Sequence, residues 1–450
     1  MAQPSLSQVM GRLVAETAAA NIPEAVVQRA KVSLLHNIVV GLAARHRENI
    51  GQRMAGRYWP APAEATLIGN GARVSAEGAA FANAALMNAR SQDDTHAGST
   101  SHPGSPTLAA AMAVAEAHTS TGSEFLVATI LGVEVLCRIG RDFDHLIAAR
   151  GFRPAAVLAG FGAIAATARL MRLTAEETAQ ALGLGAHLAG GLSQVWLEGS
   201  AEAPLQLAFA ARNGIAIARA AACGARAAVH AFEGEAGFYR AFAGASSQPF
   251  EALDGVGQRW QLSEITVKPY PVCAILQGPV GLLLDLMAAH ALTSGALTEI
   301  VLELNPYEAA YPGIDHAGPF ASSVATKMSA QFCLALAAID GRITPDGLGR
   351  VDDGQLLATA AGVKVVAYPA IEQRRCRIRL GLRDGRVVSG SVDAPVGQPS
   401  YDDVVRFARS LAEEIGTNTS AIQLLADVIA GIDRAAGIGG MMTAAVACGA

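Results

Sequence analysis

Apolar runs at helical spacing fill most of this chain and leave it few ways to fold. In EAVVQRAKVSLLHNIVVGLAARH, Val27, Ala30, Leu34, Ile38 and Leu42 recur at steps of three or four residues, which lays one continuous stripe along a helix. Such a stripe needs a core to face. AEGAAFANAALMNA, SPTLAAAMAVAEAH, EFLVATILGVEVLCRIGRDF and AEETAQALGLGAHLAGGLSQ continue the pattern, bordered by Gly, Ser or Thr as stop and start signals. Small residues let helix axes approach closely. No fixed period links the segments, so the pattern predicts a compact helical bundle and not a repeat array.

At 450 residues the chain exceeds the size at which one core keeps growing, so two domains are expected, either of which can be discontinuous. Hydrophobic residues make up 51% and charged ones 16%, which predicts helices buried on all sides or a hidden subunit interface. The most membrane-like run, PAAVLAGFGAIAATARLM from Pro154, is rich in Ala and Gly and carries Arg169, so it reads as a buried helix. MAQPSLSQVMGRLVAETAA has no basic segment leading into an apolar run, so no secretory signal is expected and the expected location is cytoplasmic. A net charge of −5 with scattered arginines argues against a nucleic-acid partner. Cys137, Cys223, Cys273, Cys333, Cys376 and Cys448 lie far apart with no CxxC pair, which fits a reducing compartment and neither a disulfide framework nor a metal clip.

The pattern changes near residue 265. LTEIVLELNP from Leu297 alternates as a strand does, with Ile300, Leu302 and Leu304 on one face. RRCRIRLGLRDGRVVSGSV alternates Cys376, Ile378, Leu380 and Leu382 against arginines and a glycine, then turns at Asp384-Gly385, a hairpin signal. Helices such as GPVGLLLDLMAAHAL lie between. The expected fold is therefore mainly α: an all-helical domain over residues 1–265 and 396–450, with a smaller α+β domain inserted over 266–395.

Against this apolar background QDDTHAGSTSHPGS, from Gln92 to Ser105, stands out. It joins two helices, so its polar groups sit where a helix N-terminus offers unpaired N–H donors to an anion. Asp93 and Asp94 are adjacent and their side chains should diverge, while Thr95, His96 and His102 bring hydroxyl and imidazole chemistry. The same residue types also serve as ordinary caps and turns. A second polar segment, VKPYPVCAILQG, places Lys268 and Cys273 around two prolines at the join of the two regions, where clefts favour ligands. Lys268 there can act as a base or as a point charge for a carboxylate, or be a plain surface lysine; Cys273 can be a buried hydrophobe or a nucleophile. The spacing of DDTH and HPG matches no tight metal motif, and neither GxGxxG nor GxxxxGK[ST] occurs in a fitting context. No metal and no cofactor are expected.

At these residues the chain resembles the MmgE/PrpD family, whose members include dehydratases, decarboxylases and epimerases. NARSQDDTHAGSTSHPGSP is similar to the family's DYDDT…HP signature, RGFRPAAVLAGFGA to its GFHPT segment, KPYPVCAILQG to KPYPCC, and HAFEGEAGFYRAF to LEG-x-x-GF. The resemblance spans nearly the whole chain. It implies a helical domain under a smaller α+β lid, a cleft between them, a homodimer and a small carboxylate substrate. Asp93, Asp94, Thr95, His102 and Lys268 stand at retained positions, and Cys273 where members carry cysteine or histidine. The chain also departs from the pattern: Ser91 replaces the first aspartate of DYDD, Arg153 the histidine of GFHPT, Ala203 and Gln206 a lysine and a histidine, Gln277 a histidine after KPYPCC, and Phe332 a tyrosine.

What the resemblance implies about chemistry is proton removal next to a carboxylate, with His102 and Lys268 as the acid/base pair and Asp93 orienting one of them. Thr95, Arg153, Asp94, Cys273 and Gln206 are the implied substrate-binding positions. A guanidinium at Arg153 suits a carboxylate and offsets the lysine lost at Ala203. The leading expectation is a cofactor-independent lyase of the dehydratase type. An isomerase or epimerase in the same cleft is the first alternative, and a silent homologue that binds a metabolite is the second. His102, Lys268 and Arg153 on one pocket would favour the enzymes; Phe332 and Cys273 filling the cleft would favour silence.

Overall fold

The structure, a computed structural model, describes residues 4–46, 50–141, 143–244, 250–393 and 398–449. Its larger part is a layered helical assembly. The Glu24–Ala44 helix starts after Pro23, and from Ala30 to Ala44 it is buried on every side, Lys31, His36 and Asn37 included. The apolar stripe from Ala30 to Leu42 is thus one face of a helix enclosed all round. The Pro154–Leu170 helix is enclosed as well, and Arg169 near its end donates to the carbonyls of Val14, Ala15 and Thr17. No helix among the described residues is long and apolar enough to cross a membrane. Close packing depends on small residues: a Cβ on Gly162 would collide with Thr107 and approach Leu136 of neighbouring helices.

The smaller part is α+β. Its four-stranded sheet runs Val363–Ala367, Leu297–Leu304, Cys376–Leu382, Val387–Val392, the first pair parallel and the others antiparallel. Cys376, Ile378, Leu380 and Leu382 face inward and the intervening arginines outward, as the alternation requires. The hairpin turns at Gly385, whose φ of +85° favours glycine. The Val363–Ala367 strand was not expected from sequence. It is a short edge strand with only Val363 fully buried, so its residues carry no clear alternation. The Gln277–Ala289 and Ala330–Asp340 helices pack on the sheet.

Two hydrophobic cores follow this division. One gathers residues from Leu6 to Ile265 and again from Val404 to Cys448; the other runs from Val195 to Val388. The Tyr401–Glu414 helix lies on Glu24–Ala44, with Phe407 stacked on His36 at 5.2 Å. Buried Arg138 fixes the chain that leads to the second core, donating to the carbonyls of Ala252, Asp254, Gly255 and Arg259. Beyond that pin, Ile265–Thr266 pairs antiparallel with Thr95–His96. This short ladder brings the two polar segments of the sequence together.

Candidate active site between the two cores

A cavity opens at this join, with about 710 Å³ of empty space between its walls, part of it open to solvent. His102, Thr95, Arg153, Lys268 and Cys273 all line it.

The adjacent aspartates diverge, and each has a separate task. Asp94 turns back into the helical core, where Oδ1 accepts from the Gly104 N–H at 2.9 Å and Oδ2 from Ser33 Oγ at 2.5 Å. It therefore caps the Gly104–Ala117 helix, and that N-terminus is closed to an external anion. A Cβ on Gly104 would collide with the Asp94 carboxylate and the Asn37 amide, so any larger residue has to displace them. Burial raises the Asp94 carboxyl to about 6, with Asp93 adding to the rise and the donors opposing it. Asp94 is not a wall of the cavity, because its hydrogen bonds hold it behind the loop.

Asp93 points the other way, toward Lys268. Its Oδ1 lies 3.0 Å from Lys268 Nζ, and its Oδ2 accepts from Ser105 Oγ at 2.6 Å and Asn88 Nδ2 at 2.7 Å. Burial works against its charge, but Lys268, His102 and these donors outweigh it and hold the carboxyl well below the usual range. Lys268 also donates to the Ser91 carbonyl at 3.0 Å.

His102 Nδ1 lies 2.9 Å from the Asp94 carbonyl, which can only accept, so the proton sits on Nδ1. Thr95 Oγ1 at 3.5 Å flanks the same nitrogen. Burial, and then Lys268, pushes the imidazole down to about 3. A neutral ring is left whose Nε2 lone pair can take a proton.

Arg153 immediately precedes the Pro154–Leu170 helix. Its Nη1 donates to the Ala203 carbonyl at 2.7 Å and to Gln206 Oε1 at 3.2 Å, and its guanidinium lies 4.9 Å from the Trp196 ring centroid. Among the described residues no carboxylate forms an ion pair with it. Gln206 borders a different hollow and reaches the site only through Arg153.

The α+β side contributes residues that no motif announced: Tyr307, Glu308 and Tyr311 from NPYEAAY, and Arg374 from the turn before Cys376. The one available signal was an arginine and two tyrosines beside predicted strands, which is common on any surface. Burial raises the Tyr311 hydroxyl to about 12 and pushes the Cys273 thiol up, so Cys273 is a thiol wall and not a thiolate. Among the described residues no group of three or more His, Cys, Asp or Glu side chains is placed to hold a metal.

Family models for the MmgE/PrpD N-terminal and C-terminal domains match residues 8–251 and 270–421. The chain belongs to the MmgE/PrpD family. It is similar to the cis-aconitate decarboxylase of Aspergillus terreus, 27% identical over 447 residues that cover 92% of this chain and 90% of that protein. A cis-aconitate decarboxylase of A. terreus strain NIH 2624 is 26% identical over the same coverage. The cis-aconitate decarboxylase-like protein oryM of Aspergillus oryzae is 31% identical over 271 residues, 57% of this chain and 56% of that protein.

The positions at which the family resemblance implies a departure each have a place in the structure. Gln277 is buried and braces the KPYP turn, bonding the Tyr270 N–H and the carbonyls of Tyr270 and Val272. Ser91 presents its carbonyl to Lys268. Phe332 is wholly buried in the α+β core and does not line the cavity, so the apolar replacement leaves the cleft open.

Proposed function

We propose that this protein is a cofactor-independent lyase of the dehydratase type that acts on a small carboxylic acid. One observation carries the reading: a neutral His102, a Lys268 held by Asp93 from behind, and an Arg153 without a carboxylate partner line one cavity. Arg153 binds the substrate carboxylate, with Thr95 beside it. His102 Nε2 removes the proton from the neighbouring carbon, and that C–H electron pair becomes the new carbon–carbon double bond. The C–O bond breaks, and hydroxide leaves as water with a proton from Lys268, whose ammonium also stabilises charge that develops on the carboxylate. Proton exchange with solvent resets both groups.

A second reading, loss of carbon dioxide from a substrate carboxylate to leave the same kind of carbanion, which a protonated group or solvent then reprotonates, is favoured by the names of the relatives that align over 92% of the chain. Proton NMR in D₂O with 2-methylcitrate, citrate, cis-aconitate, itaconate and simple hydroxy acids separates the readings. New vinylic signals from a hydroxy acid support the dehydratase, and carbon dioxide release from an unsaturated acid supports the decarboxylase. Deuterium uptake next to a carboxylate without a new product marks an isomerase. Silence with every acid overturns the lyase reading. The family resemblance also supports a homodimer, which sedimentation tests; the cytoplasmic location expected from the sequence is tested by cell fractionation.

A further inference from the structure

Thr100 closes the tight turn between His96 and Ser101 with φ at +43° and ψ at +44°, a left-handed backbone that a β-branched residue rarely adopts. Glycine or asparagine would make the same turn with less strain, so the strain points to the side chain. Thr100 borders the main cavity, and its hydroxyl donates to Oδ2 of Asp144, a carboxylate 7% exposed that the chemistry of His102 and Lys268 does not use. A carboxylate only accepts, so the Thr100 proton is committed and its oxygen keeps a lone pair for some other donor. The α+β side brings a donor to the same place. Tyr307 lines the cavity too, and its hydroxyl is buried beside Thr100 with no hydrogen bond of normal geometry among the described residues. Burial, and then the Asp144 charge, pushes the phenol well above its usual range, so it stays protonated. An acceptor next to a donor is the complement of one hydroxyl group, which gives a proton to the first and takes one from the second.

We propose that Thr100 and Tyr307 form the subsite for the substrate's hydroxyl group, and that Asp144 is a positioning residue that decides which way the Thr100 hydrogen points. The inference rests on the lyase reading and adds what that reading lacks, a means of telling a hydroxy acid from the unsaturated acid it becomes. With the carboxylate on Arg153, the hydroxyl lies between Thr100 and Tyr307. Two N–H groups of Lys268 go to Asp93 and Ser91, and the third is left for that oxygen. The product has no hydroxyl to give Thr100 and is held less tightly than the substrate.

Calorimetry with hydroxypivalate tests the subsite, because this acid carries a hydroxyl but no proton next to its carboxylate and cannot turn over. The wild-type protein should bind it about tenfold more tightly than 2,2-dimethylbutyrate, in which a methyl group replaces the hydroxyl, the gain for two neutral hydrogen bonds. Thr100→Val and Tyr307→Phe should each cut that preference to about threefold or less with the dimethylbutyrate affinity unchanged, and Thr100→Ser should keep it. The methyl ether of hydroxypivalate can accept but not donate, so the wild-type protein should bind it less tightly than hydroxypivalate, a comparison that serves even if Thr100→Val fails to fold. Asp144→Ala frees the Thr100 proton to meet an ether oxygen and should tighten binding of the methyl ether, a gain that plain loosening of the turn would not produce. No wild-type preference for the hydroxyl, no binding of either acid, or a preference intact in Thr100→Val or Tyr307→Phe overturns the proposal. The lyase reading fails separately. A hydroxyl preference with no turnover of any acid in the NMR panel removes the lyase and keeps the subsite, whereas turnover of a hydroxy acid by Thr100→Val at the wild-type kcat/KM removes the subsite and keeps the lyase.

Discussion

Lys268 Nζ lies 3.0 Å from Asp93 Oδ1, and the two residues, 2% and 0% exposed, come from distant segments that a two-residue strand pair brings together. A buried pair of this kind is more costly to break than to replace. Asp93→Asn and Lys268→Met should each cost about 3–5 kcal/mol in urea denaturation and abolish turnover. The double variant should regain part of the stability and none of the activity. Single variants as stable as wild type would show that the pair does not hold the loop to the α+β side.

Acid stability should fall in a window set by histidines. Burial holds His36 down to about 4 and His102 to about 3, whereas an unfolded imidazole takes its proton near 6.5. As pH drops through 6.5 the unfolded chain binds more protons, so this contribution is full above 6.5 and shrinks until the folded values are reached. Asp94 runs the other way: raised to about 6, it contributes stability below about 4 that is lost as pH rises through 6. In His36→Gln the loss between pH 6.5 and 5 should be smaller than in wild type by about 2 kcal/mol, measured by denaturant titration at both pH values. For the same reason the acid limb of kcat/KM, if His102 is the base, should lie well below pH 6.5.

Arg153 is cradled for its shape as well as its charge. Its contacts with the Ala203 carbonyl, Gln206 and the Trp196 face suit a planar guanidinium, which an ammonium does not reproduce. Arg153→Lys should raise KM about 100-fold, roughly the loss of a bidentate carboxylate contact, and Gln206→Leu by about tenfold or less. Steady-state kinetics on whichever acid turns over decides; an unchanged KM in Arg153→Lys removes Arg153 from binding.

Cys273 should be dispensable for chemistry. Its thiol is pushed up by burial, so little thiolate is present to attack. Cys273→Ala should keep kcat within about threefold, as a small change in packing would. Iodoacetamide should label the exposed Cys223 first, read by peptide mass spectrometry. A loss of activity of about a hundredfold or more in Cys273→Ala would make the thiol part of the mechanism.

Gly104→Ala tests the loop through its backbone. The added methyl group would press on the Asp94 carboxylate and the Asn37 amide, at a cost of about 1–3 kcal/mol. Because the Asp94 carbonyl fixes the His102 tautomer, kcat should fall along with the melting temperature. Full activity in a destabilised Gly104→Ala would uncouple the cap from the base.

The sequence by itself determined the helical character, the alternating strands at Leu297 and Cys376, and the polar composition of QDDTHAGSTSHPGS and KPYPVC, because periodicity and turn chemistry are local properties. It also carried the family resemblance, in motifs that stay contiguous. The edge strand at Val363–Ala367 was not legible, since one buried side chain makes no pattern. Only the tertiary structure decided that Asp93 faces Lys268 while Asp94 caps a helix: neighbours in sequence differ here by which distant donors, Ser105 and Asn88 or Ser33 and Gly104, reach them. Likewise only the fold placed Arg374 and Tyr311 on the cavity with Arg153 and left one guanidinium nitrogen unpaired. Burial and the absence of an acceptor depend on everything that packs around an atom. A charge in a sequence therefore names a chemistry, and the packed chain decides whether that charge is satisfied by the protein or left for a ligand.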